Sequence, residues 1–338
     1  METSFFLSFN DFKVYCESIK DKVSCVDGQC GACLQRKKCF FDNKECQINS
    51  LLHMKATESR FPKLLKYLQK EPDILYAIPS ILYKRLYGLY HQNFECPFNN
   101  NIIINNIVNI EKAYNLLDKE SQMVFLNILL YRLTQNRDYI YRAYSMEPQY
   151  FISLFCNLDS DEVYVDCGAY NGDTFLNYCR YNAVPKAAYL FEPDKKNYNN
   201  LKVFSQKYND VCKLHIIDKA VYKFTGNLNF VEGKGLCSHL TAMPTENSIP
   251  LAVTSIDDTI FEDVSFIKMD IEGFEKEALL GGEKHIISAY PKLAVSIYHH
   301  ISDLWEIPLF IADMFPRYNN FIIRQHTKYN QETVLYAF

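Results

Sequence analysis

The sequence predicts an α/β fold over residues 151–338, a doubly wound parallel sheet closed by an antiparallel hairpin. From about residue 160, short apolar runs alternate with amphipathic segments, which is the order of strands and helices in an α/β sheet. The runs are almost continuously apolar, as expected for parallel strands buried on both faces. A cysteine-rich segment (1–50) and a helical region (51–150) precede this predicted domain.

Five apolar runs predict the strands, in the order VYVDC (163–167), AAYLFEP (187–193), KLHIIDKAVY (213–222), VSFIKMD (264–270) and KLAVSIYH (292–299). Helices are predicted at DTFLNYCRYN, KKNYNNLKVFSQKY and EGFEKEALLGGEKHII (272–287). In the tail, FIIRQH and TVLYAF flank a turn around Tyr329 and Asn330, which predicts the closing hairpin.

The region before the sheet shows helical periodicity. LLKYLQK, LYKRLYGLY and MVFLNILLYRL carry apolar residues three and four positions apart. Asp118 and Ser121 precede the last of these segments and predict a capped helix start.

Composition narrows the class of protein. The 338 residues are 48% hydrophobic and carry a net charge of -4, so no strong positive field is available to attract nucleic acid. No apolar run approaches 18 residues, and the N-terminus lacks the basic start of a signal peptide. We therefore expect a cytoplasmic protein without a membrane span, whose twelve cysteines are reduced thiols or metal ligands.

Five cysteines lie close together in CVDGQCGACLQRKKCFFDNKEC. Cys25, Cys30 and Cys33 match the C-x4-C-x2-C spacing of a plant-type [2Fe–2S] ligand set, although the strand pattern of that fold is missing. Cys39 would complete a four-thiolate Zn²⁺ site. Zn²⁺, an iron–sulfur cluster and free buried thiols all remain open for this segment.

An acid and a glycine turn follow the first predicted strand. Asp166 ends that strand, and Gly168 and Gly172 follow with the G-x-x-x-G spacing. Asp173 and Thr174 then open a helix, where an acid and a hydroxyl suit free backbone N–H groups. In an open α/β sheet, ligands bind beyond the carboxyl ends of the strands, so this turn is a candidate binding site.

The residues around the turn favour S-adenosylmethionine over a dinucleotide. The sequence lacks the third glycine of G-x-G-x-x-G, which argues against NAD as the ligand. It also lacks the G-K-[ST] of a P-loop, which argues against a nucleoside triphosphate. Asp166 would repel a diphosphate and favour a cationic ligand. Glu192, twenty residues past Gly172, can accept both hydroxyls of an adenosyl ribose. A structural turn with an incidental acid is the alternative.

Several motifs together resemble the FkbM-type S-adenosylmethionine-dependent methyltransferases. The segments that carry the resemblance are VDCGAYNGDT (165–174), FEPD (191–194), DKAVY (218–222), FIKMDIEGFEKEALLGG (266–282) and SIYHHISDLWEIP (296–308). AYNLLDKESQMVFLNILLYRLT and the QYF at 149–151 extend the resemblance upstream, so that it covers about 111 to 338.

The resemblance implies a class I methyltransferase (Rossmann-like) fold, with a seven-stranded sheet whose last two strands form an antiparallel hairpin. It implies O-methylation of a hydroxyl on a sugar, a glycan or another small natural product. The implied cofactor residues are the turn residues Asp166, Gly168, Ala169, Gly172, Asp173 and Thr174, then Glu192 and Pro193, and on the adenine side Asp218, Ala220 and Val221.

Methyl transfer to oxygen requires that the acceptor be oriented and its proton removed. Asp270, at the end of the fourth predicted strand, is our candidate for the group at the methyl and acceptor, and Lys268 lies on the same face of that strand. A divalent metal held by Asp270 and Glu272 is an alternative, as is a simple Lys268–Glu272 ion pair. His299, with a pKa near neutral, is a second candidate for the general base.

We expect the residues that select the acceptor in the N-terminal region and in a loop at 231–250, which is rich in turn residues and could act as a lid. Trp305 could stack on a sugar or be a plain helix contact. The expected partners are a small-molecule or glycan acceptor and a second copy of the chain in a homo-oligomer. The rivals to the enzyme are a non-catalytic ligand-sensing module, an NAD-dependent oxidoreductase, and an iron–sulfur or zinc protein built on the N-terminal cysteines.

Overall fold

A computed structural model describes residues 8–23, 100–134, 136–208, 210–231, 239–241 and 248–338. The cysteines at 25, 30, 33 and 39 lie outside these residues, as do the predicted helical segments LLKYLQK and LYKRLYGLY. The Zn²⁺ and iron–sulfur predictions therefore stay predictions. Within the described residues, no helix is long and apolar enough to cross a membrane.

The chain divides into two compact units, the first made of Met1–Ile107, Leu133–Asn136 and Gly233–Cys237. Among its described parts, helix α1 (Phe9–Val23) packs against helix α2 (Asn100–Asn105). Phe9, Phe12 and Cys16 of α1 are buried, at the three- and four-residue spacing of one helix face.

The second unit contains the predicted sheet and the candidate site. In chain order its helices, and those that lead into it, are α3 (Ile107–Leu116), α4 (Lys119–Thr134), α5 (Arg137–Ala143), α6 (Asp173–Tyr181), α7 (Lys195–Tyr208), α8 (Ile256–Thr259), α9 (Glu275–Gly281), α10 (Glu283–Ala289) and α11 (Asp303–Met314). Helix α4 has the capped start that its sequence predicted, because the Asp118 carboxylate accepts the backbone N–H of Ser121 at 2.8 Å.

The strands are β1 (Val163–Cys167), β2 (Ala187–Phe191), β3 (Lys213–Ile217), β4 (Ala220–Val221), β5 (Gly226–Val231), β6 (His239–Thr241), β7 (Ser248–Thr254), β8 (Phe266–Met269), β9 (Lys292–Ser296), β10 (Phe321–Gln325) and β11 (Thr333–Ala337). Seven of them form one sheet in the order β10-β11-β9-β8-β1-β2-β3. The strands from β9 to β3 pair in parallel, whereas β11 runs antiparallel to both β9 and β10. The predicted fold class and its terminal hairpin are confirmed.

Aromatic residues fill the core on one side of β1. Tyr164 lies 4.5 Å from Tyr178 and 5.6 Å from Phe266, measured between ring centroids, and all three side chains are fully buried. Phe151 and Phe155, from the segment before β1, pack edge-on or tilted against the same rings. Much of the high aromatic content is thus explained by core packing.

The third apolar run is not the single strand that we predicted over 213–222. It divides at Asp218 and Lys219 into β3, at the edge of the main sheet, and β4, which belongs to a second sheet in the order β4-β7-β5-β6. Within 231–250, β6 and the start of β7 are strands of this second sheet, so the segment is not a continuous loop.

Two other element boundaries differ from the sequence prediction. The helix expected at 272–287 is two helices, α9 and α10, which meet at Gly281 and Gly282. A Cβ atom at Gly281 would lie 2.1 Å from the carbonyl oxygen of Tyr222, so this glycine permits a close backbone approach. Strand β9 ends at Ser296, which leaves His299 in the turn that follows.

Candidate functional site

The glycine turn after β1 packs against the turn after β8. Gly168 and Gly172 have φ angles of +83° and +87°, which favour glycine. A Cβ atom at Gly168 would lie 2.1 Å from the carbonyl oxygen of Asp270. Glycine is therefore required at position 168 because the two turns meet there. The sequence analysis had explained this glycine by the close approach of a ligand.

Asp166 faces Lys268, whereas we expected it to face a cationic ligand. Its side chain is fully buried, and Oδ1 lies 2.9 Å from Nζ of Lys268, its partner in the register of β1 and β8. The hydroxyl of Tyr164 donates to Oδ2 at 3.1 Å. The charge of Asp166 is balanced inside the protein, so Asp166 attracts a cation less than an unpaired carboxylate would, and its contact with the cofactor stays a prediction.

Lys268 connects the two neighbouring strands. It also donates to the carbonyl oxygen of Gly168 at 2.7 Å. Burial alone would lower the pKa of Lys268, but the carboxylates of Asp166 and Asp270 raise it above its ordinary value. The alternative Lys268–Glu272 pair is wrong for this structure, because Lys268 pairs with Asp166 and the Glu272 side chain is 86% exposed.

Asp270 lies where three hydrogen-bonding or charged groups converge. The hydroxyl of Tyr150 donates to Oδ2 at 2.8 Å, and the hydroxyl of Tyr298 donates to Oδ1 at 3.1 Å. His299 Nε2 is 3.3 Å from Oδ1. Burial opposes ionisation, but His299, Lys268 and Tyr150 together lower the pKa of Asp270 well below its ordinary value. Asp270 is therefore an anion fixed in position.

His299 lies between two carboxylates. Its Nε2 faces Asp270, and its Nδ1 is 3.1 Å from Oε1 of the buried Glu275. Neither N–H is in line with its carboxylate oxygen, so these are off-axis ion pairs. Burial would lower the pKa of His299, but Asp270 and Glu275 raise it well above 6.5. The near-neutral pKa expected of a general base is not what the structure shows.

The alternative of a divalent metal at Asp270 and Glu272 stays a prediction, because the structure tests neither the residue pair nor the ion. Among the described residues, the one group with the spacing of metal ligands is Asp270, Glu275 and His299. In this group the two ring nitrogens face different carboxylates, and both oxygens of Asp270 already accept tyrosine hydroxyls. This donor set is arranged around an imidazole ring and does not favour a divalent cation.

Glu192 follows β2 at the expected place. Its Oε2 accepts the backbone N–H of Tyr170 at 2.9 Å, and its Oε1 accepts that of Asp194 at 2.9 Å. Burial raises the pKa of Glu192, and these backbone N–H groups oppose the rise. Each carboxylate oxygen keeps a lone pair for another donor. Glu192 therefore links the glycine turn to the turn after β2 and remains able to accept a hydroxyl.

The other residues assigned to the cofactor lie farther along the same edge. Asp218 directly follows β3 and forms an exposed ion pair with Lys195 at 3.1 Å. Ala220 and Val221 form β4, where the side chain of Val221 is buried. Pro193 is half-buried beside Glu192.

A cavity of about 430 Å³ opens between the glycine turn and Asp270. The residues that line it are Pro148, Gln149, Tyr150, Gly168, Tyr170, Asp173, Thr174, Asn177, Tyr181, Lys268, Asp270 and Glu332. Tyr150, Tyr170 and Glu332 are three of the six non-glycine residues with positive φ in the described chain. Such strained backbone gathers at functional sites, which supports this cavity as the site.

Sequence reasoning missed several of these residues. Gln149 and Tyr150 carried a signal, since they belong to the QYF segment of the resemblance. Glu275 lay unremarked within the GFEKEALL motif, and Tyr298 beside the histidines. For Glu332, in the hairpin turn, no sequence pattern pointed to the site. Of the two uses left open for Trp305, the structure shows a core contact, because its side chain is fully buried in α11.

Comparison with known families decides the identity of this part of the chain. Residues 166–324 match the family model described as the methyltransferase FkbM domain. These residues are an FkbM methyltransferase domain. The resemblance drawn from the motifs is confirmed, and the methyltransferase domain includes the glycine turn, Glu192, Asp270 and His299.

A solved structure agrees with this assignment. The methyltransferase FkbM from Methylobacillus flagellatus KT aligns with 27% identity and a TM-score of 0.59, over 70% of this chain and 60% of that chain. This chain thus spans less than two thirds of that relative's length. No curated protein matches the sequence.

More distant structures show weaker likeness to the methyltransferase domain. A Streptococcus mutans protein in complex with SAH has 11% identity and a TM-score of 0.34, over 54% of this chain and 90% of that chain. An rRNA methylase from Streptococcus thermophilus has 11% identity and a TM-score of 0.35, over 60% of this chain and 92% of that chain. At these values neither carries an argument about function.

Proposed function

We propose that this protein is an S-adenosylmethionine-dependent O-methyltransferase that acts on a hydroxyl of a sugar, a glycan or another small natural product. The observation that carries the proposal is the anionic Asp270 on the cavity wall beside the glycine turn of an FkbM domain. The cofactor would be held by the turn from Gly168 to Thr174 and by Glu192, with Asp218, Ala220 and Val221 on the adenine side.

Charge supports a sulfonium ligand. Asp166, Asp270 and Glu275 are three carboxylates, and Lys268 and His299 are the two cations paired with them, which leaves one negative charge in excess. Asp270 is the member of this group whose carboxylate lines the cavity. In a partly buried site an uncompensated carboxylate attracts a cation strongly, so the cavity favours S-adenosylmethionine over its neutral product.

The proposed chemistry is an in-line displacement. The acceptor oxygen forms a bond to the methyl carbon while the carbon–sulfur bond breaks, and its electron pair returns to sulfur. Asp270 would accept a hydrogen bond from the acceptor hydroxyl and orient it, and the proton would leave to solvent water in the open cavity as the oxygen–carbon bond forms. Lys268 and His299 would keep Asp270 ionised and in place.

The acceptor would contact the cavity wall that lies outside the matched FkbM domain. Gln149, Tyr150 and Glu332 form that wall, and Gln149 donates a hydrogen bond to Glu332. Their amide, hydroxyl and carboxylate groups suit hydroxyl-bearing ligands. Among the described lining residues, Lys268 is the only Lys or Arg, and it is already paired with Asp166. This wall therefore favours a neutral acceptor over a phosphorylated one.

Calorimetry tests the cofactor first. The wild-type protein is titrated with S-adenosylmethionine and with NAD, beside Glu192→Ala and the control Glu277→Ala on α9. We expect micromolar binding of S-adenosylmethionine, no NAD binding, and at least tenfold weaker binding by Glu192→Ala alone. A folded wild-type protein that does not bind S-adenosylmethionine would refute the proposal.

The acceptor is then tested by methyl transfer. Labelled S-adenosylmethionine is incubated with the protein and a panel of monosaccharides, oligosaccharides and their phosphates, and the label and the released SAH are quantified. We expect transfer to neutral hydroxyl compounds. Transfer to amines or thiols alone would contradict the assignment to oxygen while leaving the cofactor assignment intact.

A further inference from the structure

The ring of His299 is enclosed by acidic groups on both of its nitrogen edges. Nε2 is 3.3 Å from Asp270 Oδ1 and 3.7 Å from Glu272 Oε2, and Nδ1 is 3.1 Å from Glu275 Oε1. The ring of Tyr298 lies 4.3 Å away, measured between centroids. His299 and Glu275 are almost fully buried, so solvent screens the interaction of these two groups only weakly.

The proximity of the two carboxylates favours one protonation state of the ring. A neutral imidazole has one N–H and one lone pair, so either tautomer would leave an unprotonated nitrogen about 3 Å from a carboxylate oxygen. Only the doubly protonated ring offers hydrogen to both sides. The carboxylates of Asp270 and Glu275 would also repel each other across a neutral ring.

We propose that Glu275 is a positioning residue that holds His299 as an imidazolium, and that this cation fixes the Asp270 carboxylate at the cavity wall. Glu275 is suited to the role because it is itself fixed. It is the first residue of α9, it is 1% exposed, and its Oε1 accepts the backbone N–H of Ile271 at 3.0 Å.

The arrangement assigns different roles to the two groups we had considered as bases. An imidazolium has no lone pair, so His299 cannot take a proton from an acceptor. Asp270 keeps its carboxylate facing the cavity, with the two tyrosine hydroxyls and His299 restricting its rotation. Glu275 reaches the cavity only through His299 and touches neither cofactor nor acceptor in this account.

The protonation state can be read directly by nitrogen NMR of ¹⁵N-histidine-labelled full-length protein at pH 7.5. The His299 signals are assigned by their loss in His299→Gln. We expect both ring nitrogens of His299 to resonate as protonated nitrogens in the wild type. Glu275→Gln is expected to convert one of them to an unprotonated nitrogen, whereas Glu277→Gln, two residues along α9, leaves both unchanged.

Three results would overturn the proposal. They are an unprotonated ring nitrogen on wild-type His299, an unchanged doubly protonated ring in Glu275→Gln, and a stoichiometric divalent metal in the purified protein that is lost in His299→Gln. If Glu275→Gln does not fold, Glu275→Asp replaces it. Aspartate keeps the charge but is one methylene shorter, so weaker protonation of His299 is expected, and an unchanged ring would contradict the role. The spectrum needs no cofactor, so its outcome is independent of the proposed methyl transfer.

Discussion

Asp270 is the carboxylate through which the cavity should distinguish a sulfonium from a thioether. Asp270→Asn removes the excess negative charge and keeps the size of the side chain. We expect the affinity for S-adenosylmethionine to fall about tenfold, which corresponds to about 1.4 kcal/mol, while the affinity for SAH changes little. Calorimetry with both ligands measures the ratio, and Asp313→Asn on the exposed side of α11 is the control. Equal loss of affinity for both ligands would show that Asp270 does not act through charge.

The buried pair of Asp166 and Lys268 makes a different prediction, because removing one partner leaves a charge without compensation. Asp166→Asn should lower the free energy of unfolding by about 3–5 kcal/mol. Asp161→Asn, at an exposed position before β1, should change it by less than about 0.5 kcal/mol. Urea denaturation measures both variants. If Asp166→Asn unfolds like the wild type but fails to bind S-adenosylmethionine, Asp166 is a ligand contact after all.

Asp166 shows which properties of a single residue could be predicted from the sequence. Its place at the end of a strand and before a glycine turn was predictable from the pattern of apolar residues. Its partner was not, because Lys268 is 102 positions away and is brought opposite Asp166 only by the pairing of β1 with β8. Glu332 could not be predicted for the same reason. The hairpin brings it to the cavity, and it belongs to no local motif.

The turn after β1 makes a prediction about backbone geometry. Gly168→Ala would place a Cβ atom 2.1 Å from the carbonyl oxygen of Asp270 at a φ of +83°, so the two turns would have to separate. We expect a loss of at least about 2 kcal/mol of stability, together with weaker S-adenosylmethionine binding. Gly226→Ala is the matched control, because its nearest neighbour would be a side-chain atom at 3.5 Å. Thermal melting of both variants provides the measurement, and equal melting temperatures would contradict the close packing of the turns.

Strands and helices were predictable where one physical signal dominated. The buried strands β1, β2, β8 and β9 each coincide with an apolar run, because parallel strands covered on both faces need apolar residues at most positions. The prediction of one strand at 213–222 was wrong because this single apolar run contains two strands, β3 and β4, which belong to different sheets. The α9–α10 boundary was missed because Gly281 is required by a contact with Tyr222, which lies far away in sequence.

Across the full sheet, the order of elements was predictable and the site was predictable only in part. The side of the cavity formed by the glycine turn belongs to the FkbM domain, whose motifs are contiguous and could be recognised. The opposite side combines residues 148–150 with Glu332, both outside 166–324, and depends on how the hairpin returns to the segment before β1. If the acceptor binds there, as we propose, acceptor choice would depend on tertiary contacts that no single stretch of sequence encodes.

One such contact links the hairpin to the site through His326. Tyr150 donates its backbone N–H to the hydroxyl of Tyr336 at 2.9 Å, and that hydroxyl is 2.8 Å from His326 Nε2. His326 Nδ1 is 3.2 Å from the carbonyl oxygen of Glu147, so Nδ1 must carry the proton and Nε2 accepts from Tyr336. The neutral ring thus completes a chain of hydrogen bonds that positions Tyr150.

This chain predicts how stability depends on pH. Burial lowers the pKa of His326 from 6.5 to about 4 in the folded protein. Between these values the unfolded chain binds a proton that the folded chain does not, so the free energy of unfolding must fall as the pH falls from 6.5 to 4. At about 1.4 kcal/mol per pKa unit, His326 contributes a fall of roughly 3 kcal/mol. Urea denaturation from pH 7 to pH 4 should show a smaller decline in His326→Gln than in the wild type, and parallel declines would mean that His326 is protonated in the folded protein.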